Sequence, residues 1–215
     1  HYDGHYHYPL KGNRPMYDGY KDMTDGLAKC YTTDLFTART KKWITDHHRT
    51  HPEQPFFTYL AYDTPHSPQQ VPTTSHMTKT SNYPPGGGLT GGVQWIADAR
   101  DGQINTAKGN IDKGMHPAFM NRVGDDGKPW PGHAIRHATM IRRIGDAVVD
   151  IVQLLKDLGI DEKTLIVFTS DNGTHRAGGN RPDYFDTFGP YDGQKRDMWE
   201  GGVRMPTFLR WPSVI

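Results

Sequence analysis

The sequence predicts an incomplete α/β domain, built as a mostly parallel sheet with helices on both faces. Three observations predict it. The run 164–168 is short, apolar and bounded by polar residues, as a buried strand is, and it leads into the loop Thr169-Ser170-Asp171-Asn172-Gly173. The segment 133–158 has the 3.6-residue apolar period of an amphipathic helix and stops at Gly159. The aromatic and aliphatic run 56–62, held between Pro55 and Pro65, reads as a second buried strand. Helices that alternate with buried strands favour a parallel sheet.

The elements follow in order. The first thirty residues, rich in Tyr, His, Gly and Asp, lack any period and read as an irregular loop. Thr32 or Thr33 can cap a helix with Asp34 in its first turn, and Leu35, Ala38 and Trp43 share one of its faces to about His48. After the strand at 56–62, residues 69–132 form a loop-rich insertion punctuated by Pro84-Pro85-Gly86-Gly87-Gly88 and Gly91-Gly92, with a short element near 93–96. In the helix 133–158, Ile135, Thr139, Arg142, Arg143, Asp146, Val149 and Gln153 trace one face. Ile141, Ile144, Val148, Ile151, Val152 and Leu155 trace the apolar stripe. The strand to Ser170, a loop to about Glu200 and a short strand at 207–210 complete the chain.

Bulk properties narrow the function. The 25 basic and 24 acidic side chains leave a net charge of +1, so no global field draws in nucleic acid or a membrane surface. No run approaches the roughly 18 apolar residues of a membrane span. Hydrophobic residues are 34% of the chain and its mean hydropathy is −0.76, low for a self-sufficient α/β core. The chain is therefore expected to be part of a larger domain. The single cysteine, Cys30, excludes an internal disulfide.

Candidate chemistry lies at the strand ends, where loops of a parallel sheet meet along one edge. Asp171 and Asn172 offer two hard oxygen donors of the kind calcium and magnesium take. His66, in Pro65-His66-Ser67-Pro68, can donate a hydrogen bond or a proton, and Lys195 is a compact cation on a flexible stem. A metal, a histidine and a lysine together suit a charged oxyanion ester. Taken singly, each has an ordinary explanation: a turn histidine, an Asp-Asn-Gly chain reversal, a solvated lysine. His175, Arg176 and the 183–186 segment follow the metal pair closely enough to line a pocket. His1, His5 and His7 with Asp3 are too loosely spaced for a specific metal site. Within the insertion, Trp95, His116 and Trp130 are candidate specificity residues.

The combination resembles the sulfatase family of the alkaline-phosphatase-like superfamily over nearly the whole chain. The matching pieces are Tyr31-Thr32-Thr33-Asp34, the segment 56–68, the long helix ending in Leu158-Gly159, the segment 164–173, Gly193-Gln194-Lys195, and Glu200-Gly201-Gly202-Val203-Arg204-Met205-Pro206. The resemblance implies an alkaline-phosphatase-like fold and hydrolysis of aryl or carbohydrate sulfate monoesters. Asp171 and Asn172 would hold one divalent cation, usually Ca2+, while His66 and Lys195 would contact the sulfate oxygens and be catalytic. His175 and Arg176 would be accessory substrate contacts. A secreted or periplasmic location follows by analogy alone.

The resemblance also implies a formylglycine nucleophile made from Cys or Ser in a Cys/Ser-x-Pro-x-Arg motif, which this sequence lacks. Cys30 has neither the downstream Pro nor the Arg and is not that residue. The family's N-terminal aspartate pair, its Gly-Lys-x-x-x-Gly segment and its smaller C-terminal sheet have no counterpart either. Residues 1–215 thus read as a partial catalytic domain, with weak metal binding and no turnover expected of this chain alone. Two other readings stay open: a phosphodiesterase or phosphonate hydrolase of the same superfamily, and a non-catalytic carbohydrate- or metal-binding remnant.

Overall fold

A computed structural model of the chain describes residues 15–24, 31–67, 69, 71, 116–177 and 180–215. Its framework is a pair of long helices, α1 (Thr32–Thr50) and α3 (Gly132–Asp157). The shorter elements are a hairpin of β1 (Tyr17–Asp18) and β2 (Lys21–Asp22), α2 (Pro117–Met120), a 3-10 turn at Asp161–Lys163, β3 (Ile166–Phe168), α4 (Pro182–Phe185), α5 (Glu200–Val203) and β4 (Phe208–Arg210). Among the described residues no helix is long and apolar enough to cross a membrane.

Two buried ion pairs fix how α1 and α3 pack. Arg143 grips Asp34 with two hydrogen bonds of 2.5 and 2.7 Å, and Lys41 meets Asp150 at 2.7 Å. The partners are seven residues apart on both helices and ascend together, so the helices run parallel in one register. Between the pairs and the strands lies a core of Ile44, Leu154 and Leu155, with Phe56, Ile151, Leu158, Ile160 and Ile166 packed against it. Gly159, at a φ of 70°, ends α3 in the left-handed conformation that glycine tolerates.

Several sequence-based expectations change here. Neither threonine caps α1: the N-cap is Tyr31, without a side-chain bond. Thr32 instead donates to the Asp63 carboxylate at 2.7–2.8 Å, and the Thr33 hydroxyl bonds that of Thr64 at 2.5 Å. Ile44, rather than Trp43, occupies the core; Trp43 is 46% exposed and stacks on His47. The buried stripe of α3 is rotated from the purely apolar one, because Arg143 and Asp150 turn inward to their partners while Ile141 faces out at 47% exposure. Residues 15–24, expected to be irregular, form a hairpin turning at Gly19, whose φ is 60°.

A mostly parallel sheet is not what the described residues form. They contain two two-stranded ladders, both antiparallel: β1 with β2, and β3 with β4 in the register Ile166↔Arg210 and Phe168↔Phe208. Residues 55–63 run irregularly rather than in a ladder. Phe56 and Tyr62 turn toward α1 while Phe57 and Tyr59 are 86% and 84% exposed, so the two-residue alternation of a strand survives without ladder pairing. Of the insertion, residues 116–132 hold α2 and a turn closed by a Val123↔Pro129 bridge. The element expected near 93–96, and Trp95, Cys30, His1, Asp3, His5 and His7, lie outside the described residues.

One stability consequence follows from α3. Gly145 sits on its exposed side, and a β-carbon there would touch nothing within 4 Å. Gly145→Ala should therefore raise stability by about 0.5–1 kcal/mol, read as a higher urea midpoint, since glycine only weakens a helix at such a position.

Candidate functional site

The site forms where two distant segments dock backbone to backbone. β3 delivers Asp171-Asn172-Gly173, and the Gly173 N–H donates to the Gly202 carbonyl at 2.9 Å. One step further, the Lys195 N–H donates to the Thr174 carbonyl at 2.6 Å. A β-carbon on Gly173 would overlap the Gly201 carbonyl, and one on Gly201 would overlap that of Gly193. The glycines are thus needed for clearance: only hydrogen atoms fit between these backbones. Lys195 itself rides a turn in which the Asp197 carboxylate accepts the Gln194 N–H at 3.0 Å and Arg196 takes a φ of 83°.

His66 arrives by a third route. Thr32 and Thr33, at the start of α1, tether Asp63 and Thr64, and the His66 N–H closes the turn on the Asp63 carbonyl at 2.9 Å. Its Nδ1 lies 2.5 Å from the Ser67 carbonyl. A carbonyl only accepts, so Nδ1 carries hydrogen.

His175 is where these routes meet. Its ring centroid is 5.7 Å from that of His66. Burial pushes its imidazole below the ordinary value; the charges of Lys195, His66 and Arg196 push the same way, and Asp171 opposes them. The His66 ring is thus a neighbour of His175, and the Lys195 backbone is bonded to Thr174, the residue before it. The Ala177 N–H donates to His175 Nδ1 at 3.0 Å, so the neutral ring carries its proton on Nε2. Arg176 points elsewhere: it is half-exposed and forms a two-pronged ion pair with Asp183.

As part of a hard-cation site the donors fit. Asn172 spends its Nδ2 on the Gly173 carbonyl at 2.8 Å, and Asp171 is an exposed carboxylate. Two side chains fall short of the 6–8 oxygens calcium takes. Among the described residues no group of three or more His, Cys, Asp or Glu side chains could hold a metal.

Trp130 and the 183–186 segment, both singled out from the sequence, join Phe119, His133 and His137 in one aromatic cluster. Trp130 stacks on Phe119 at 6.0 Å and meets Phe185 edge-on at 5.1 Å, Tyr184 lies against His133, and Phe185 lies over His137. The two histidines share one face of α3 at a four-residue spacing, which was a visible signal. Burial, with His175 and His133 adding to it, holds His137 below its ordinary value of 6.5. The unfolded chain then binds the proton more readily, so the stability this group contributes is present above pH 6.5 and lost as pH falls below it. Lowering the pH from 7 to 5 should reduce the urea midpoint more in the native chain than in His137→Gln.

The profile of the Sulfatase family matches residues 2–215. The chain is 41% identical over 103 residues to the steryl-sulfatase of Homo sapiens, covering 47% of this chain and 17% of that protein. It is 36% identical over 109 residues to the N-acetylgalactosamine-6-sulfatase of Homo sapiens, covering 46% and 20%. A steryl-sulfatase of Rattus norvegicus matches at 41% over 71 residues, 32% of this chain and 12% of that protein. Among solved structures, that of Ps i-CgsB in complex with k-i-k-neocarrahexaose superposes with a TM-score of 0.53 at 23% identity, covering 92% of this chain and 31% of that one. The fold is alkaline-phosphatase-like. The chain belongs to the sulfatase family, and its matches span about a fifth or less of the length of these curated relatives.

Proposed function

We propose that this chain is the part of a sulfuric ester hydrolase that grips the sulfate group of an aryl or carbohydrate sulfate monoester. The observation that carries the reading is the docking of the Lys195 turn on the loop after Asp171–Asn172, with the His66 ring 5.7 Å from that of His175 and family membership behind it. Lys195 places its ammonium against the ester oxygens. His66 contacts the leaving oxygen and donates a proton there when protonated. His175 offers Nε2–H as a neutral donor. Such donors, held before substrate arrives, stabilise charge that builds on the departing oxygen.

Asp171 and Asn172 would hold calcium, whose charge offsets that of the sulfate. The formylglycine that sulfatases use as nucleophile has no candidate among the described residues. The curated relatives are named for a sterol sulfate and an amino-sugar sulfate, and the structural neighbour is bound to a hexaose; these names support the substrate class. Secretion or a periplasmic location is proposed with the family.

Titration of 4-nitrophenyl sulfate into the chain in calcium tests the reading. Lys195→Ala should weaken binding about tenfold, the size of one charge-assisted contact. Lys163→Ala, on the exposed 3-10 turn, should leave it unchanged. Equal affinity in Lys195→Ala and the native chain, or tighter binding of bis(4-nitrophenyl) phosphate, overturns it.

A further inference from the structure

A buried polar bridge joins the loop of His175 to the segment of His66. Asn180 is 8% exposed and Gln69 is 5% exposed, and they meet across 111 residues of sequence. Asn180 Nδ2 donates to the His175 carbonyl, while its Oδ1 accepts from Gln69 Nε2 at 3.2 Å. One backbone carbonyl sets the direction of the whole bridge. It can only accept, so Asn180 must turn its amide nitrogen to His175 and its oxygen to Gln69, which must then present nitrogen. No aspartate or leucine at position 180 could fill both roles.

Both ends of the bridge lie close to the two imidazoles. Asn180 holds the backbone of His175 itself, and the Asn180 N–H donates to the Ala177 carbonyl at 3.2 Å in the turn that follows. Gln69 comes three residues after His66, a reach of about 10 Å at most. The rings at the two ends have their centroids 5.7 Å apart. The neighbouring Thr174 is tied elsewhere: its carbonyl accepts the Lys195 N–H at 2.6 Å and its hydroxyl accepts from Thr187 at 2.9 Å. Those bonds secure the loop to the Lys195 turn, and the bridge secures it to the His66 segment.

Stability alone does not account for the bridge. Among the described residues Gln69 Oε1 is buried with no hydrogen-bond partner. A buried amide with one end unpaired is less stable than an apolar side chain of like shape would be. What the bridge does provide is a fixed distance between two segments that each carry a histidine.

We propose that Asn180 and Gln69 are positioning residues of the sulfate site, holding the His66 and His175 rings at the separation that lets both face one ester. This rests on the sulfate-ester reading of His66 and Lys195. Neither residue has to touch the substrate; both act through the two histidines.

Three measurements on the full chain in calcium test it: the nuclear Overhauser contact between the His66 and His175 rings, the affinity for 4-nitrophenyl sulfate, and the urea midpoint. Gln69→Met breaks the bridge without adding charge. It exchanges one unpaired buried oxygen, on Gln69, for another, on Asn180, so the midpoint should stay near the native one. The ring contact should nevertheless weaken and the ester bind about tenfold less tightly, the size of one misplaced charge-assisted contact. Asn180→Leu should give the same two losses together with a lower midpoint, since the His175 carbonyl loses its donor. The double variant Gln69→Met/Asn180→Leu should regain part of that midpoint, yet bind the ester no better and no worse than either single variant, because the pair acts as one unit. Native ring contact and affinity in Gln69→Met overturn the proposal. So does a double variant whose contact and affinity recover along with its stability, which marks a purely structural bond, or one whose losses add. If the native chain itself binds no ester, the sulfate-ester reading fails and the positioning role fails with it.

Discussion

Gly173→Ala is expected to destabilise the chain by about 3 kcal/mol and to abolish binding of 4-nitrophenyl sulfate. The added methyl has no room, because the atom it meets is the Gly201 backbone carbonyl rather than the end of a pliable side chain. That backbone cannot retreat alone. Gly173 is bonded to the Gly202 carbonyl at 2.9 Å, Lys195 to the Thr174 carbonyl at 2.6 Å, and Gly201 to the Asp192 carbonyl at 2.8 Å. Relief requires breaking this ladder, which parts the Asp171–Asn172 pair from Lys195. A urea titration gives the stability term and calorimetry the ligand term. If Gly173→Ala keeps both the native midpoint and the native ester affinity, backbone docking is not what unites the two segments. The opposite sign expected for Gly145→Ala, in the same chain, separates lack of space from any general effect of replacing glycine.

The comparison between sequence and structure divides along the range of the interactions. Helix α3 was legible almost to the residue, because its apolar period and terminal Gly159 are local properties. Its facing was not: Arg143 and Asp150 turn inward only because Asp34 and Lys41 wait on another helix, a pairing that spacing within α3 cannot reveal. The site shows the same division. Asp171, Asn172, His66 and Lys195 could be singled out by type and position in a motif, and His175 by proximity to the metal pair. That His175 is the meeting point depends on tertiary packing. The aromatic cluster of Trp130, Tyr184 and Phe185 against His133 and His137 draws on α3, α4 and the end of the insertion, so no single stretch of sequence announced the whole of it. The parallel sheet was inferred from alternation of strands and helices, yet β3 pairs antiparallel with β4, and 56–62 keeps the alternation of a strand without ladder pairing.

Arg143→Met should cost about 3–5 kcal/mol, the expected range for breaking a buried ion pair by removing one partner. Asp34 is completely buried and Arg143 nearly so, and the pair is held by two hydrogen bonds. Burial already pushes the Asp34 carboxyl above its ordinary range, with Arg143 pulling against it, so losing the guanidinium leaves the carboxylate without its main support. The cost reaches the site through α1. Asp34 directly follows Thr32 and Thr33, whose hydroxyls hold Asp63 and Thr64 and thereby His66. Arg143→Met should therefore weaken ester binding as well as lower the urea midpoint. Replacing both partners, Asp34→Leu with Arg143→Met, should recover most of the stability, because no charge is then left uncompensated in the interior. Both helices keep their apolar contacts in that double variant, and ester affinity should return with the fold. A double variant less stable than either single one would mean that the pair contributes through its attraction, rather than through the penalty of leaving one charge alone.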